Sequence, residues 1–167
     1  MQPTKLPTRI KNFLYRETEQ RSPLWIRPSE AKYLDIPRPI VLVNGAFDLM
    51  HINHIRLINA ARHKAATLVC ALDSDTKISR EKGPERPILT YEERAALLAY
   101  MPLDIICEIA DDRDMNTLMH GLAPDLRVQG ESYRGKSSRY SVPKMFVRES
   151  TLHTTELITR ILKAYGH

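Results

Sequence analysis

From Ile40 onward, short apolar runs alternate with stretches in which apolar residues recur every three or four positions. "PIVLVN" (39–44) is a compact β-branched run of the kind that forms a strand buried on both faces. "HIRLINAARHK" (54–64) sets Ile55, Leu57, Ile58 and Ala61 at helical spacing. "ATLVCAL" (66–72) predicts the next strand. "TYEERAALLAYM" (90–101) predicts a helix, with Thr90 as N-cap and Glu93 three residues on to complete a capping box. "DIICEI" (104–109) reads as a third strand, and "DMNTLMHGL" (114–122) as a helix that Gly121 ends. "DLRVQG" (125–130) and "KMFV" (144–147) read as further strands, before a final helix in "TTELITRILKAY" (154–165). This alternation predicts an α/β fold with a mainly parallel sheet. Such sheets bind ligands at the carboxyl ends of their strands.

Residues 1–38 break the pattern. Pro3, Pro7, Pro23, Pro28 and Pro37 punctuate them, with basic and polar residues between. Two apolar patches, Phe13-Leu14-Tyr15 and Leu24-Trp25-Ile26, are able to dock on the body. The expected organisation is an extension over 1–38 and one α/β domain over 39–167.

The chain has 167 residues, 43% hydrophobic and 27% charged, which fits an ordinary globular protein with a sizeable core. Its formal charge of +5 favours anionic partners without choosing among them. The basic residues are dispersed and no aromatic-plus-basic stripe appears, which argues against nucleic acid. No apolar stretch is long enough to span a bilayer, and the first residues lack the apolar core of a signal peptide. Cys70 and Cys107 each lie inside a strand-like run, which points to a reducing compartment. The expected location is therefore cytoplasmic, with no membrane partner.

The first strand runs into Gly45, and a helix begins near His51 to His54. A helix start at a strand's carboxyl end attracts phosphate through free N–H groups and the helix dipole. Imidazoles there donate N–H bonds to phosphoryl oxygens, or act as cations once protonated. Taken alone, the pair is also compatible with zinc or with packed core side chains. Zinc needs a third and usually a fourth ligand, and no Cys or Asp cluster stands nearby at ligand spacing. The sequence therefore offers no protein metal site.

"GAFDLMHINH" (45–54) resembles the G-x-F-D-x-x-H-x-G-H signature of the cytidylyltransferase-like nucleotidyltransferases. The likeness extends over Ile40 to Leu162. "KGPERPI" within 72–106 is similar to a segment of the heptose-phosphate nucleotidyltransferases, where the following helix carries an early Arg, here Arg94. "APDLRVQGESY" (123–133) is similar to their P-D-x-x-V-K-G-x-D-Y. "RESTLHTTELITRI" (148–161) is similar to the R-T-x-G-x-S-T-T segment shared with the glycerol-3-phosphate cytidylyltransferases. The resemblance implies a Rossmann-like fold of the H-x-G-H type, with helices on both faces of the sheet. It also implies attack of a phosphorylated small molecule on the α-phosphorus of a nucleoside triphosphate, with Mg²⁺, release of pyrophosphate, and a homodimer.

The same resemblance assigns residues. His51 and His54 match the histidines that stabilise the α-phosphate. Lys82 and Arg86 match basic residues of a mobile loop, and Thr154 and Thr155 match a pair near the β- and γ-phosphates. His51, His54, Lys82 and Thr154 are the expected catalytic set. Gly45, Ala46, Phe47, Asp48 and Asn53 in the signature belong to the expected nucleotide site. So do Asp75, Arg86, Gly130, Glu131, Tyr133, His153 and Thr155. Asp48 is equally readable as a brace for its loop.

Three departures bear on substrate. Gln129 replaces a Lys, and Ser132 replaces an Asp, leaving Glu131 as the nearest carboxylate. His153 stands where the family has Ser. Asn53 also replaces the signature's Gly, a change that left-handed backbone or an N-cap role would absorb. The leading expectation is transfer from ATP or CTP to a heptose 1-phosphate-like acceptor. A glycerol-3-phosphate cytidylyltransferase and a nucleotide-binding module without turnover are the alternatives.

Overall fold

The computed structural model describes residues 22–136 and 139–166. The patch Phe13-Leu14-Tyr15 lies outside them. The strands are β1 (Leu24–Ile26), β2 (Ile40–Gly45), β3 (Thr67–Asp73), β4 (Ile105–Ile109), β5 (Leu126–Gly130) and β6 (Lys144–Val147). The helices are α1 (Ile52–Arg62), α2 (Asp75–Lys82), α3 (Tyr91–Ala99), α4 (Asp112–Leu122) and α5 (Thr154–Tyr165). A 3-10 turn spans Pro28–Tyr33.

All six strands are parallel, in the order β1-β4-β3-β2-β5-β6. Their alternating side chains build two cores. Val41, Val43, Leu68, Cys70, Leu72 and Ile106 face α1 and α3 through Ile58, Ala61, Ala95 and Leu98. Ile40, Leu42, Val69, Ala71, Ile105 and Cys107 face α4 through Met115, Leu118, Met119 and Leu122. Helices therefore cover both faces, and the fold is Rossmann-like α/β. Both cysteines are free and buried.

From β2 the chain first builds outward through β3 and β4, then returns to place β5 on β2's other side. Adjacent strand ends whose connections diverge leave a crevice between them. The carboxyl ends of β2 and β5 form that crevice here.

The structure differs from the sequence pattern in four places. Leu24-Trp25-Ile26 does more than dock: it extends the sheet, with Leu24 opposite Ile105 and Ile26 opposite Cys107. "DTKISREK" is a helix, α2, opened by the Ser74 side chain accepting from Lys77 N–H; its only buried residue is Ile78, too little for an apolar stripe. Gly121 does not end α4; Ala123 takes the left-handed cap at φ 44°. Gly121 serves a close approach instead, because a Cβ there would lie 2.8 Å from both Ala31 Cβ and Lys32 N. Arg94, near the start of α3 and of a residue type that is mostly exposed, is wholly buried. The Thr90 and Glu93 capping box forms as the sequence indicates, with bonds of 2.8 and 3.3 Å.

Candidate active site

A cavity of about 250 Å³ opens at the crevice between β2 and β5. The loop after β2 shapes its floor. Gly45 has φ 155°, open to glycine, and Phe47 and Leu49 sit in left-handed conformations at φ 49° and 45°. Such strained positions persist only where surrounding bonds over-determine them, and here those bonds are visible. Arg94 donates to Ala46 O at 2.6 Å, to Leu89 O at 3.1 Å and to Asp75 Oδ1 at 2.7 Å. Asp48 is 1% exposed. It accepts from Arg86 Nε at 2.9 Å, Ile88 N–H at 3.1 Å and Leu89 N–H at 3.0 Å. Burial works to raise its pKa, but those two N–H groups and the Arg86 guanidinium outweigh it and hold the carboxyl below its ordinary value. Asp48 thus braces the loop against the K-G-P-E-R-P turn.

Two helices begin at this cavity. His51 is the N-cap of α1, and His153 is the N-cap of α5. Helix starts leave N–H groups without intrahelical partners, so both ends favour anions. Thr154 Oγ1 donates to Asp48 O at 2.8 Å, tying α5 to the signature loop. His51 and His54 stack at 3.9 Å between ring centroids, and His153 meets His51 edge-on at 6.4 Å.

Burial favours the uncharged form of His51 and His54. Burial, then His51 and Lys82 nearby, push His54 down to about 3. Burial and His153 lower His51 as well. His54 Nδ1 accepts from His51 N–H at 3.3 Å, which leaves the proton on Nε2. His51 Nδ1 is buried without a partner among the described residues. Lys82 is the last residue of α2, and burial followed by Arg86 lowers its pKa.

Asn53 resolves differently from either expectation for a glycine substitute. It lies inside the first turn of α1, away from the N-cap, and its backbone is not left-handed. Its amide clamps the segment before α5. Nδ2 donates to Ser150 O at 3.1 Å and Leu152 O at 2.6 Å. Oδ1 accepts from Ser150 N–H and Ser150 Oγ, both at 2.9 Å.

Fourteen of the expected residues line the cavity: Gly45, Ala46, Phe47, Asp48, His51, Asn53, His54, Lys82, Arg86, Gly130, Tyr133, His153, Thr154 and Thr155. Asp75 and Glu131 stand elsewhere. Asp75 is held by Arg94 and accepts Tyr91 N–H at 3.1 Å, and Glu131 pairs with Arg134 at the surface. Among the lining residues that sequence reasoning did not single out are Asn44, Leu57, Val147 and Glu149. Asn44 Oδ1 accepts from Arg127 Nη2 at 2.9 Å, which gives the otherwise unassigned Arg127 a partner. No group of three His, Cys, Asp or Glu among the described residues is placed to hold a metal.

The cytidylyltransferase-like family model matches residues 42–142, and the chain belongs to that family. The bifunctional protein HldE of Geobacter sulfurreducens is 36% identical over 136 residues, which are 76% of this chain and 28% of that protein. The D-beta-D-heptose 1-phosphate adenylyltransferase of Bordetella bronchiseptica is 38% identical over 100 residues, 59% of this chain and 61% of that protein. The chain spans between a fifth and under a third of the HldE relatives, 20% to 28% of their length. Among solved structures, the lipopolysaccharide core biosynthesis protein from Thermoplasma volcanium aligns with TM-score 0.52 at 21% identity, over 68% of this chain and 98% of that one. A pantoate-beta-alanine ligase from Francisella tularensis aligns with TM-score 0.58 at 12% identity, over 85% and 78%. These two likenesses concern the fold alone.

Proposed function

We propose that this chain transfers the AMP group of ATP to the phosphate of a heptose 1-phosphate-like sugar. The observation that carries the reading is the meeting of two helix starts, with His51, His54, Lys82 and Thr154, on one cavity. The similarity to the Bordetella adenylyltransferase supports the choice of ATP and of the sugar phosphate. An acceptor phosphate oxygen attacks the α-phosphorus, the bond to the β-phosphate breaks, and pyrophosphate leaves. Such a transfer demands positioning and electrostatic stabilisation more than covalent chemistry. His54 Nε2–H and the His51 ring serve the α-phosphate oxygens as neutral donors, while the α5 start and Lys82 receive the departing phosphates.

Magnesium belongs to this reading as part of the nucleotide. It prefers oxygen ligands and keeps several waters. The buried Asp48 is already engaged by three donors, so oxygens of the bound triphosphate would supply the ligands. A homodimer and a cytoplasmic setting belong to the proposal too. Ile161, Leu162 and Tyr165 of α5 are exposed, a surface suited to self-association; sedimentation measures it. No helix among the described residues is long and apolar enough to cross a membrane.

Pyrophosphate release tests the reading, with ATP or CTP offered against heptose 1-phosphate and glycerol 3-phosphate. Release with ATP and the heptose is expected. Release confined to CTP and glycerol 3-phosphate would move the chain to the other branch. Tight nucleotide binding without release from any pair would make it a binding module.

A further inference from the structure

Where the resembled motif P-D-x-x-V-K-G-x-D-Y has Asp, this chain has Ser132, and neighbouring Glu131 turns away to Arg134. A different carboxylate fills the place. Glu149, in the segment between β6 and α5, accepts the Ser132 backbone N–H through Oε2 at 2.7 Å. It lies so close over Gly130 that a Cβ there would sit 2.2 Å from Oε1 and 2.6 Å from Cδ. Gly130 has an ordinary φ of −66°, so glycine is required for the carboxylate's space and not for backbone freedom. From behind, the Asn53 clamp on Ser150 fixes the next residue in the chain. Glu149 takes part in none of the ion pairs among the described residues, although it lines the same cavity as Lys82, Arg86 and three histidines.

A carboxylate accepts hydrogen bonds and donates none. Placed at one end of a cavity built for phosphates, it repels phosphate and welcomes hydroxyl groups. We propose that Glu149 is a specificity-determining residue that reads the hydroxyl groups of a sugar ring, either the ribose of the nucleotide or the acceptor sugar. This inference rests on the transfer reading above and sharpens it by assigning the hydroxyl-bearing end of the cavity. Hydrogen bonds to a charged acceptor are worth roughly ten- to hundredfold in affinity.

The experiment has two arms. In the first, ATP is compared with its 2′-deoxy and 3′-deoxy analogues at fixed acceptor. In the second, a sugar 1-phosphate is compared with its deoxygenated analogues at fixed ATP. Both kcat/KM and calorimetric Kd are measured for wild type, Glu149→Gln and Gly130→Ala. Gln keeps the shape and an acceptor for Ser132, while the added Cβ at 130 displaces an intact carboxylate. Wild type is expected to favour the hydroxylated ligand roughly ten- to hundredfold in one arm, and both variants to bring that ratio close to one. The arm that responds names the sugar. Ratios that stay unchanged in both variants, or a wild type indifferent to every hydroxyl, overturn the inference even where pyrophosphate release proceeds. A Kd ratio that collapses in the variants without release from any pair supports Glu149 and refutes the transfer reading.

Discussion

Helices α4 and α5 both carry an apolar stripe, yet the molecule uses them in opposite ways. α4 buries Met115, Leu118, Met119 and Leu122 against the sheet and the 3-10 turn. α5 buries no residue; Ile161, Leu162 and Tyr165 stay exposed, Tyr165 by 78%. α4 is held along its side, whereas α5 is held at its start by Thr154 on Asp48 O and by the Asn53 clamp just before it. An apolar stripe says that a helix has something to hide, not where. In this molecule the side-held helix supports the body, and the end-held helix presents its N-terminus to the cavity.

That contrast can be broken from the α4 side first. Leu118→Ala should lose about 2–5 kcal/mol of stability through transfer and cavity costs while leaving nucleotide affinity intact; denaturant titration with and without ATP measures both. The next largest effect belongs to the site. His54→Ala should slow transfer by about 2.7–4 kcal/mol in the barrier, the scale of losing one preorganised donor, with melting temperature little changed at pH 7. Asn53→Ala leaves the Ser150 and Leu152 backbone groups without their partner, at about 1–3 kcal/mol. It should weaken triphosphate binding more than monophosphate binding, because the start of α5 loses its anchor. A smaller effect is set by pH. The folded His54 pKa, about 3, lies below its ordinary 6.5. The unfolded chain therefore binds more protons between those values, and stability falls as pH drops from about 6.5 toward 3. Melting curves of His54→Asn should show a shallower acid limb. Least of all, Leu162→Ser should shift monomer stability by no more than about 0.5 kcal/mol, although any self-association through α5 would weaken.

The sequence made the strands legible because a doubly covered parallel strand is a continuous apolar run, as in "TLVCAL". It made the Thr90 cap legible because both partners lie within one turn. α2 was hidden by having one buried residue, Ile78. β1 was hidden by its length of three residues, too short for any periodicity. Gly121 misled because its requirement comes from Ala31, ninety residues earlier in the chain and visible only after folding. At the site, the family motifs pointed to residues that do line the cavity. Asp75 and Glu131 could not be placed from the motifs, since Arg94 and Arg134 claim their side chains. Glu149 carried one faint signal, the carboxylate missing at 132, and nothing local to show which residue makes up for it.

The 24–34 segment has a practical consequence for anyone cutting this chain. The family match begins at residue 42, but the sheet begins earlier, with Leu24–Ile26 paired along β4. A fragment started at the motif would strip β4 to a bare edge of unpaired amides and carbonyls, the template on which chains stack into aggregates. It would also uncover the hollow at Gly121 that Ala31 fills. The start of the family match and the start of the sheet do not coincide here.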